Sequence, residues 1–497
     1  MRRRKMNKII DLMVILFYSG IILIVGGCRM VDPPSDPAVI WTPPDWVAQT
    51  QEEPIWDSIR EKSADLSQPL LMSDCVDLAL KNSPVTRQSW AAALAAAAEV
   101  GQAESYLYPQ VSVSADGTYA KQDYSLKGGD IEVINSPNSD DFNYGPGLKL
   151  SWLLFDFGGV SGGIEEARQM LLATNYSFNQ SIQDLILDVE KSYYELYSAR
   201  SQVVAAQADV DDTGKSLEAA RQKFEVGLVS KLDELQAQST YQDSLYQMES
   251  AKGDVKSARA SLAGALGIPA DADFDIAEPN RELPTEVSKD DVSQLIEEGL
   301  KKRPDIASLR AELRAKEAAI DVAGSAYYPS LNLGGSANKL WYSYLEDPEL
   351  YNDSYMYTGY LSLNWDIFTG FSDREKKLAA EANAAQARES LAAAEISASA
   401  DVWTKYYAFN TAVGKFKFAT AFFQTSQESY NLALESYNAG LKSILDLLQS
   451  QSSLSSARSQ LISAKKDLFT TLADLAHATG TLGVKSGKAN NELQNIE

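Results

Sequence analysis

Seventeen residues beginning at Lys223, KFEVGLVSKLDELQAQS, return in altered form at Ser436 as SYNAGLKSILDLLQSQS. The two phrases lie 213 residues apart and share an aromatic residue, a glycine, a leucine, a serine, an aspartate and two glutamines at one spacing. A chain that repeats an unusual phrase is built from two copies of one unit, so any element found in one half is expected in the other. The correspondence extends well beyond this phrase. Pro84 matches Pro304, and Tyr108-Pro109 matches Tyr328-Pro329, at an offset of 220. Trp152 with Trp365, Val189 with Val402, Tyr193-Tyr194 with Tyr406-Tyr407, Gly227 with Gly440 and Gly267 with Gly480 all keep 213. The change of offset puts a seven-residue length difference between Pro109 and Trp152, where KGGDIEVINSPNSDDFNYGPG reads as an exposed loop.

Within each unit the apolar period changes. Leu148, Leu150, Trp152 and Leu154 alternate in one half, and Leu361, Leu363, Trp365 and Ile367 alternate in the other. Period two marks a strand with one apolar face. QVSVSADGTY and SLNLGGSANK supply a weaker strand each, directly after a Tyr-Pro that ends the preceding helix. The count is two strands per unit and four per chain. The remainder reads as helix. Phe178, Ile182, Leu185, Val189, Tyr193, Leu196, Ala199, Val203, Ala206 and Val210 recur at the spacing of an amphipathic helix. No proline interrupts residues 164–226, a length of roughly 95 Å as helix. The flanking helices, expected over 73–106 and 230–266, together match that length, so two short helices could lie end to end beside one long one. Ser73 or Asp74 is the expected N-cap of the first.

Charge and composition restrict function. A formal net charge of −23 at pH 7 repels nucleic-acid backbones. One histidine and two cysteines leave few metal sites or nucleophile–base pairs, and neither a cofactor nor catalysis is expected. The start of the chain, basic in MRRRKMNK, then apolar, then VGGC ending at Cys28, has the layout of a secretory signal. VGGC resembles the bacterial lipobox, which implies acylation of Cys28 after removal of residues 1–27. Arg29, rather than an aspartate, follows, which by that resemblance directs the lipoprotein to the outer membrane. Cys75 then has no partner, and the fold must stand without an internal disulfide. A proline-rich stretch follows Cys28, and 28–70 reads as an extended arm leading from the anchor.

Four strands are too few to close a barrel, and their apolar face needs covering. The duplication, WLLFDFGG and WDIFTGF at the strand-to-helix corners, and the VGLVSKLD and AGLKSILD turns together resemble the TolC-like outer membrane efflux proteins over residues 71–482. The resemblance implies an α+β membrane protein. Four strands from each chain of a homotrimer would close a twelve-stranded outer-membrane β-barrel, continuous with a long periplasmic α-helical barrel. It divides the chain into a signal peptide (1–27), a lipid-anchored arm (28–70), a first repeat (71–270), a linker (271–289), a second repeat (290–482) and a tail (483–497). The implied function is the passive exit duct of a tripartite efflux system, partnered by a periplasmic adaptor, an inner-membrane pump and outer-membrane lipid. The exit duct of a type I protein secretion system is the alternative within that class. A periplasm-spanning structural lipoprotein without a pore is the alternative outside it, and the paired amphipathic strands argue against it.

By the same resemblance the repeated phrase forms two helix-turn-helix tips that dock the adaptor, through Gly227, Leu228, Val229 and Ser230 and through Gly440, Leu441, Lys442 and Ser443. Asp233 and Asp446 would then stand at the constriction as a carboxylate ring favouring cations. Lys442 occupies the place of the basic residue that helps hold the family's closed state, while Gln449 replaces an acid usual one turn after Asp446. Local physics offers a second role for the same residues. Ser230 with Asp233, and Ser443 with Asp446, have the outline of capping boxes, and both glycines suit left-handed helix ends. GVSGG at 159–163 formally matches a hydrolase nucleophile elbow, but the second unit has TGFSDR there, so a strand-to-helix corner is expected. The Tyr- and Trp-rich LWYSYLEDPELYNDSYMYTGY suits an interfacial aromatic belt.

Overall fold

The computed structural model describes residues 68–122, 139–279, 291–344 and 351–483. All of them lie in one compact unit of the chain, Ser63–Glu497. The signal segment, Cys28 and nearly all of the 28–70 arm fall outside the described residues, as do 280–290 and 484–497.

The described elements run α1 (Met72–Asn82), α2 (Pro84–Glu104), β1 (Gln110–Gln122), β2 (Ser139–Phe155), α3 (Gly159–Glu225) and α4 (Lys231–Leu266). The same order follows as α5 (Val292–Lys302), α6 (Pro304–Ser325), β3 (Ser330–Tyr344), β4 (Tyr351–Asn364), α7 (Ser372–Asn438) and α8 (Ile444–Ala478). The long helices α3 and α7 have 67 residues each, about 100 Å of helix.

The short N-terminal helix of each unit differs from expectation. Instead of one helix over 73–106 there are two, broken before Pro84, which has no N–H to donate and takes the first helical position. The Ser83 hydroxyl receives the Thr86 N–H at 3.4 Å and restarts the helix. The second unit breaks in the same way before Pro304. The N-cap of α1 is Leu71, not Ser73 or Asp74; Asp74 sits at the third position and receives the Leu71 N–H at 3.0 Å.

The four strands form one antiparallel sheet in the order β1-β2-β3-β4, open at β1 and β4. Residues 139–147, expected to be loop, belong to β2. Pro146 pairs with Ala115 of β1, while the pairing with β3 skips Gly145 and Pro146. A Cβ on Gly145 would lie 1.7 Å from the Lys339 carbonyl oxygen, so only glycine permits that approach. At the other end, β4 stops at Asn364, and Trp365 and Ile367 belong to the corner rather than to the strand. Each corner turns on two successive left-handed residues, Phe157 (φ 55°) with Gly158 (φ 105°) and Gly370 (φ 65°) with Phe371 (φ 70°).

Packing follows the helix lengths. α3 lies against α2 through Ser89–Ser181 (2.7 Å) and Arg168–Glu104 (2.8 Å), and against α4 through Thr213–Ser244 (2.8 Å). α7 lies against α6 through Arg310–Glu395 (2.7 Å) and against α8 through Lys405–Asp474 (3.3 Å). The units join along α3. Ser308 of α6 donates to the Ala173 carbonyl at 2.9 Å, and a Cβ on Gly162 would meet Val322 at 3.0 Å. Further along, Tyr194 of α3 stacks on Phe469 of α8 with ring centroids 4.5 Å apart.

The largest core cluster gathers Cys75, Leu78, Val189, Tyr193, Leu262, Leu266, Phe274 and Ile276. Cys75 is a free thiol, fully buried, and burial with the neighbouring Asp74 charge pushes it up to about 12. The last residue of the arm is stitched to this core: Leu70 donates to the Asp275 carbonyl at 2.8 Å and receives Ala277 N–H at 2.9 Å.

Candidate functional site

Both repeated phrases form tight turns between antiparallel helices, α3–α4 and α7–α8. Gly227 has φ 74° and Gly440 φ 77°, the left-handed conformation that ends a helix without a Cβ clash. Leu228 N–H reaches back to the Lys223 carbonyl at 2.8 Å, and Leu441 N–H to the Ser436 carbonyl at 2.9 Å. These long backward bonds close the last turn of each long helix.

The next helix is capped reciprocally. Asp233 N–H donates to Ser230 Oγ at 3.3 Å, and Ser230 N–H donates to Asp233 Oδ2 at 3.0 Å. In the second tip the same two bonds measure 3.3 and 3.1 Å, and the Ser443 hydroxyl adds a third to Asp446 at 2.8 Å. That hydroxyl and N–H hold the Asp446 carboxyl below its ordinary value, with Lys442 adding to the effect. Both capping boxes are therefore formed. Leu228 and Leu441 are 73 % and 78 % exposed, so each turn presents a bare leucine beside its glycine.

Beneath the turns the two tips are packed together. Leu217, Ala220, Ala237, Tyr430, Tyr437, Ile444, Leu447 and Leu454 form one buried cluster drawn from α3, α4, α7 and α8. Lys223 of the first tip donates to the Tyr437 carbonyl of the second, with its ammonium 4.1 Å from that ring's centre. The Tyr437 hydroxyl is buried and has no hydrogen-bond partner among the described residues. Further from the turns, Arg458 of α8 binds Asp209 and, at 2.8 Å, Asp212 of α3. These contacts across units were not foreseen from sequence. An acid pair three residues apart on the inner face of a long helix, Asp209 and Asp212, was the available signal for the last of them.

The nucleophile-elbow match is a corner and first turn of α3. Ser161 donates to the Gly158 carbonyl at 3.3 Å, and His477 bonds Asp184 at 2.7 Å. Residues 161 and 184 are some 35 Å apart along α3, so serine and histidine do not form a nucleophile–base pair.

The second surface of functional interest is the sheet. Its register places Val111, Val113, Leu148, Leu150, Leu333, Ala337, Leu361 and Leu363 on one face. Trp152 joins them toward the helices, with its indole N–H on the Leu107 carbonyl at 2.9 Å; Trp365 just past β4 bonds the Tyr327 carbonyl at 3.1 Å. At the far end the same face carries Tyr119, Tyr144, Trp341 and Tyr355, while Tyr357, paired with Ala337, lies within the band. The opposite face is mainly polar, with Ser112, Ser114, Asp116, Lys149, Ser336, Asn338 and Thr358, and it also carries Leu153, Leu340, Met356 and Tyr360. An aliphatic band between two aromatic rows, backed by a mainly polar face, is the pattern of a membrane-spanning β-barrel wall. Among the described residues no helix is long and apolar enough to cross a membrane.

The family model described as outer membrane efflux protein matches residues 75–268 and 295–481. Protein CyaE of Bordetella pertussis is 27% identical over 398 residues, covering 79% of each chain. The probable outer membrane lipoprotein SilC of Salmonella typhimurium is 26% identical over 267 residues, 53% of this chain and 54% of that one. Among solved structures, the outer-membrane channel OprN superposes with a TM-score of 0.72 at 20% identity, over 92% of this chain and 100% of that one.

Proposed function

The chain belongs to the outer membrane efflux protein family and is an outer membrane channel for efflux or secretion, and from that premise we propose that it is the homotrimeric, lipid-anchored exit duct of a tripartite efflux system. The observation that carries this reading is the sheet. It has one hydrocarbon-compatible face, one mainly polar face and two open edges, β1 and β4. Unpaired strand edges cannot be left in lipid, and four strands cannot close on themselves. Three copies pairing β4 of one with β1 of the next would give twelve strands, with the polar face lining the lumen.

The long helices run from the sheet into the periplasm, and the tips at their far end meet the adaptor. The exposed Leu228 and Leu441 beside rigid glycine turns support that role, since they offer apolar side chains on a fixed backbone. Three chains would bring six such tips together. Asp233 and Asp446 cap helices and, in the same positions, would line the constriction. The duct supplies no energy; an inner-membrane pump drives transport through the adaptor. Acylation at Cys28 would anchor the chain, in keeping with its similarity to a probable outer membrane lipoprotein, and an intact mass of the mature protein checks it.

Planar-bilayer recording tests the reading directly. Purified protein should insert as a trimer and conduct. A monomer in mild detergent, or a trimer that never conducts, would leave a periplasm-spanning spacer as the better description.

A further inference from the structure

Lys339 interrupts the apolar face of the sheet. It lies on β3 in the row that includes Leu331, Leu333, Ala337 and Trp341. Its ammonium stands 4.9 Å from the ring centres of both Trp341 and Tyr355. Tyr144 of β2 extends the aromatic frame, with its ring 5.5 Å from that of Trp341. The Asp353 carboxylate is 3.9 Å away, a loose ion pair rather than a hydrogen-bonded one. The lysine side chain remains 31% exposed.

Height decides what such a cation meets. Lys339 is eight residues along β3 from Leu331, or roughly 20 Å above the helix end of the sheet once strand tilt is allowed for. That places it at the aromatic row on the side away from the helices, where a bilayer turns from acyl chain to headgroup. A lysine at the midplane of the apolar band would be costly; at this row it reaches phosphate. The outer leaflet of a bacterial outer membrane presents a glycolipid whose sugars carry phosphates. An ammonium supplies point-charge hydrogen bonds to phosphate, and flat aromatic rings flank the sugar.

We propose that Lys339, framed by Trp341 and Tyr355, binds a phosphate of the outer-leaflet glycolipid headgroup. The proposal rests on the outer-membrane channel reading and on the helices marking the periplasmic side. It assigns Asp353 a distinct part: its carboxylate competes with the phosphate for the ammonium and weakens the site.

The test uses purified full-length protein in mild detergent, titrated with diphosphorylated lipid A, enzymatically dephosphorylated lipid A and phosphatidylglycerol, with bound lipid counted by native mass spectrometry. The wild type should hold the diphosphorylated form on the order of tenfold more tightly than the dephosphorylated one. Lys339→Gln should remove that preference, and Asp353→Asn should strengthen it. An unchanged preference in Lys339→Gln overturns the proposal. So does a loss in Asp353→Asn equal to that in Lys339→Gln, which would make the two residues an internal pair only. Equal binding of phosphatidylglycerol and diphosphorylated lipid A by the wild type overturns it too, because the site would then read any phosphate. Conductance separates this from the premise. If the wild type forms no channels, the channel reading fails and takes the proposal with it. Channels with wild-type conductance in Lys339→Gln show an assembled barrel, so that lipid binding alone is judged.

Discussion

The two tips share their caps and differ in what lies beneath them. The glycine turns and the reciprocal serine–aspartate bonds match within 0.1 Å, and the second tip adds the Ser443 hydroxyl bond to Asp446. Equivalent positions below the cap have opposite fates. Phe224 is 37% exposed, whereas its counterpart Tyr437 is 1% exposed. Glu234, buried beside Lys231 and Arg221, corresponds to Leu447, which is fully buried among apolar neighbours. At this position the first tip thus seats an ion cluster, while the second puts a leucine into the apolar cluster that both tips share. Local sequence sets the turn, and the helices packed against it set the floor. Duplication preserved the former and left the latter to diverge.

The largest expected effect lies where the two units are tied. Arg458 is 13% exposed and neutralises Asp209 and Asp212, which are 18% and 11% exposed. Arg458→Ala leaves Asp209 without its cation and Asp212 with only the exposed Lys215 at 3.2 Å, and should cost about 3–5 kcal/mol. Chemical denaturation of the detergent-solubilised protein measures it, and a loss under 1 kcal/mol would show that water already solvates the cluster.

The floor substitutions bear on the comparison itself. Leu447→Ala removes a fully buried side chain and should cost about 2–5 kcal/mol. Glu234→Ala leaves Lys231 and Arg221, 57% and 47% exposed, to water, so its cost should be about 1 kcal/mol or less. Equal losses would mean that the tips do not differ in kind.

At the turns, Gly440→Val forces a β-branched residue to φ 77° and should strain the tip by roughly 1–2 kcal/mol. Hydrogen exchange of residues 441–446 should accelerate, and efflux in cells should be abolished while trimers and lipidation survive. Normal efflux by a trimer with a demonstrably loosened tip would remove that turn from the docking surface.

The caps come next. Asp446→Ala should loosen the second tip locally, read as faster hydrogen exchange at residues 443–446. If Asp446 also lines the constriction, the cation-to-anion permeability ratio should fall as well; unchanged reversal potentials in a salt gradient would leave it a cap only. Its pH dependence has a defined sign. A carboxyl lowered by folding contributes stability that is present above its unfolded value, about 3.9, and lost as pH falls through the folded one. Exchange protection at the second tip should therefore persist at mildly acidic pH and disappear only below the ordinary carboxylate range.

These contrasts explain what was legible in the sequence. Caps, left-handed glycines and long amphipathic helices are local, so residues 227–233 and 440–446 were assignable from spacing alone. The four strands were legible from period two, but their ends were not. Gly145 and Pro146 carry the signature of a loop, yet the strand needs a glycine there because the Lys339 carbonyl comes so near. Trp365 continues an alternation that the backbone abandons one residue earlier. Beneath the tips the partners are remote: Arg458 meets acids 249 and 246 residues away. Nothing near Tyr437 indicates that Lys223, on the other unit, will lie over its ring.

Tyr437 gives the smallest effect and the sharpest discrimination. Its hydroxyl is buried with no partner among the described residues, while the hydroxyl of Tyr430, in the same cluster, donates to the Asp212 carbonyl at 3.2 Å. An unmade hydrogen bond in a buried site leaves the full desolvation cost standing, so deleting the group should be neutral or stabilising by up to about 1 kcal/mol. Deleting a hydroxyl that donates should cost about 1 kcal/mol, because the bond itself is lost, although the Asp212 carbonyl keeps the Ser216 hydroxyl at 3.1 Å. Tyr437→Phe and Tyr430→Phe remove one oxygen each from one cluster, so area and packing terms nearly cancel in the comparison. Thermal unfolding should rank Tyr437→Phe at or above the wild type and Tyr430→Phe below it. A destabilised Tyr437→Phe would reveal that its hydroxyl is bonded in the assembled protein, by water or a neighbouring chain, and that the floor of the second tip is polar after all.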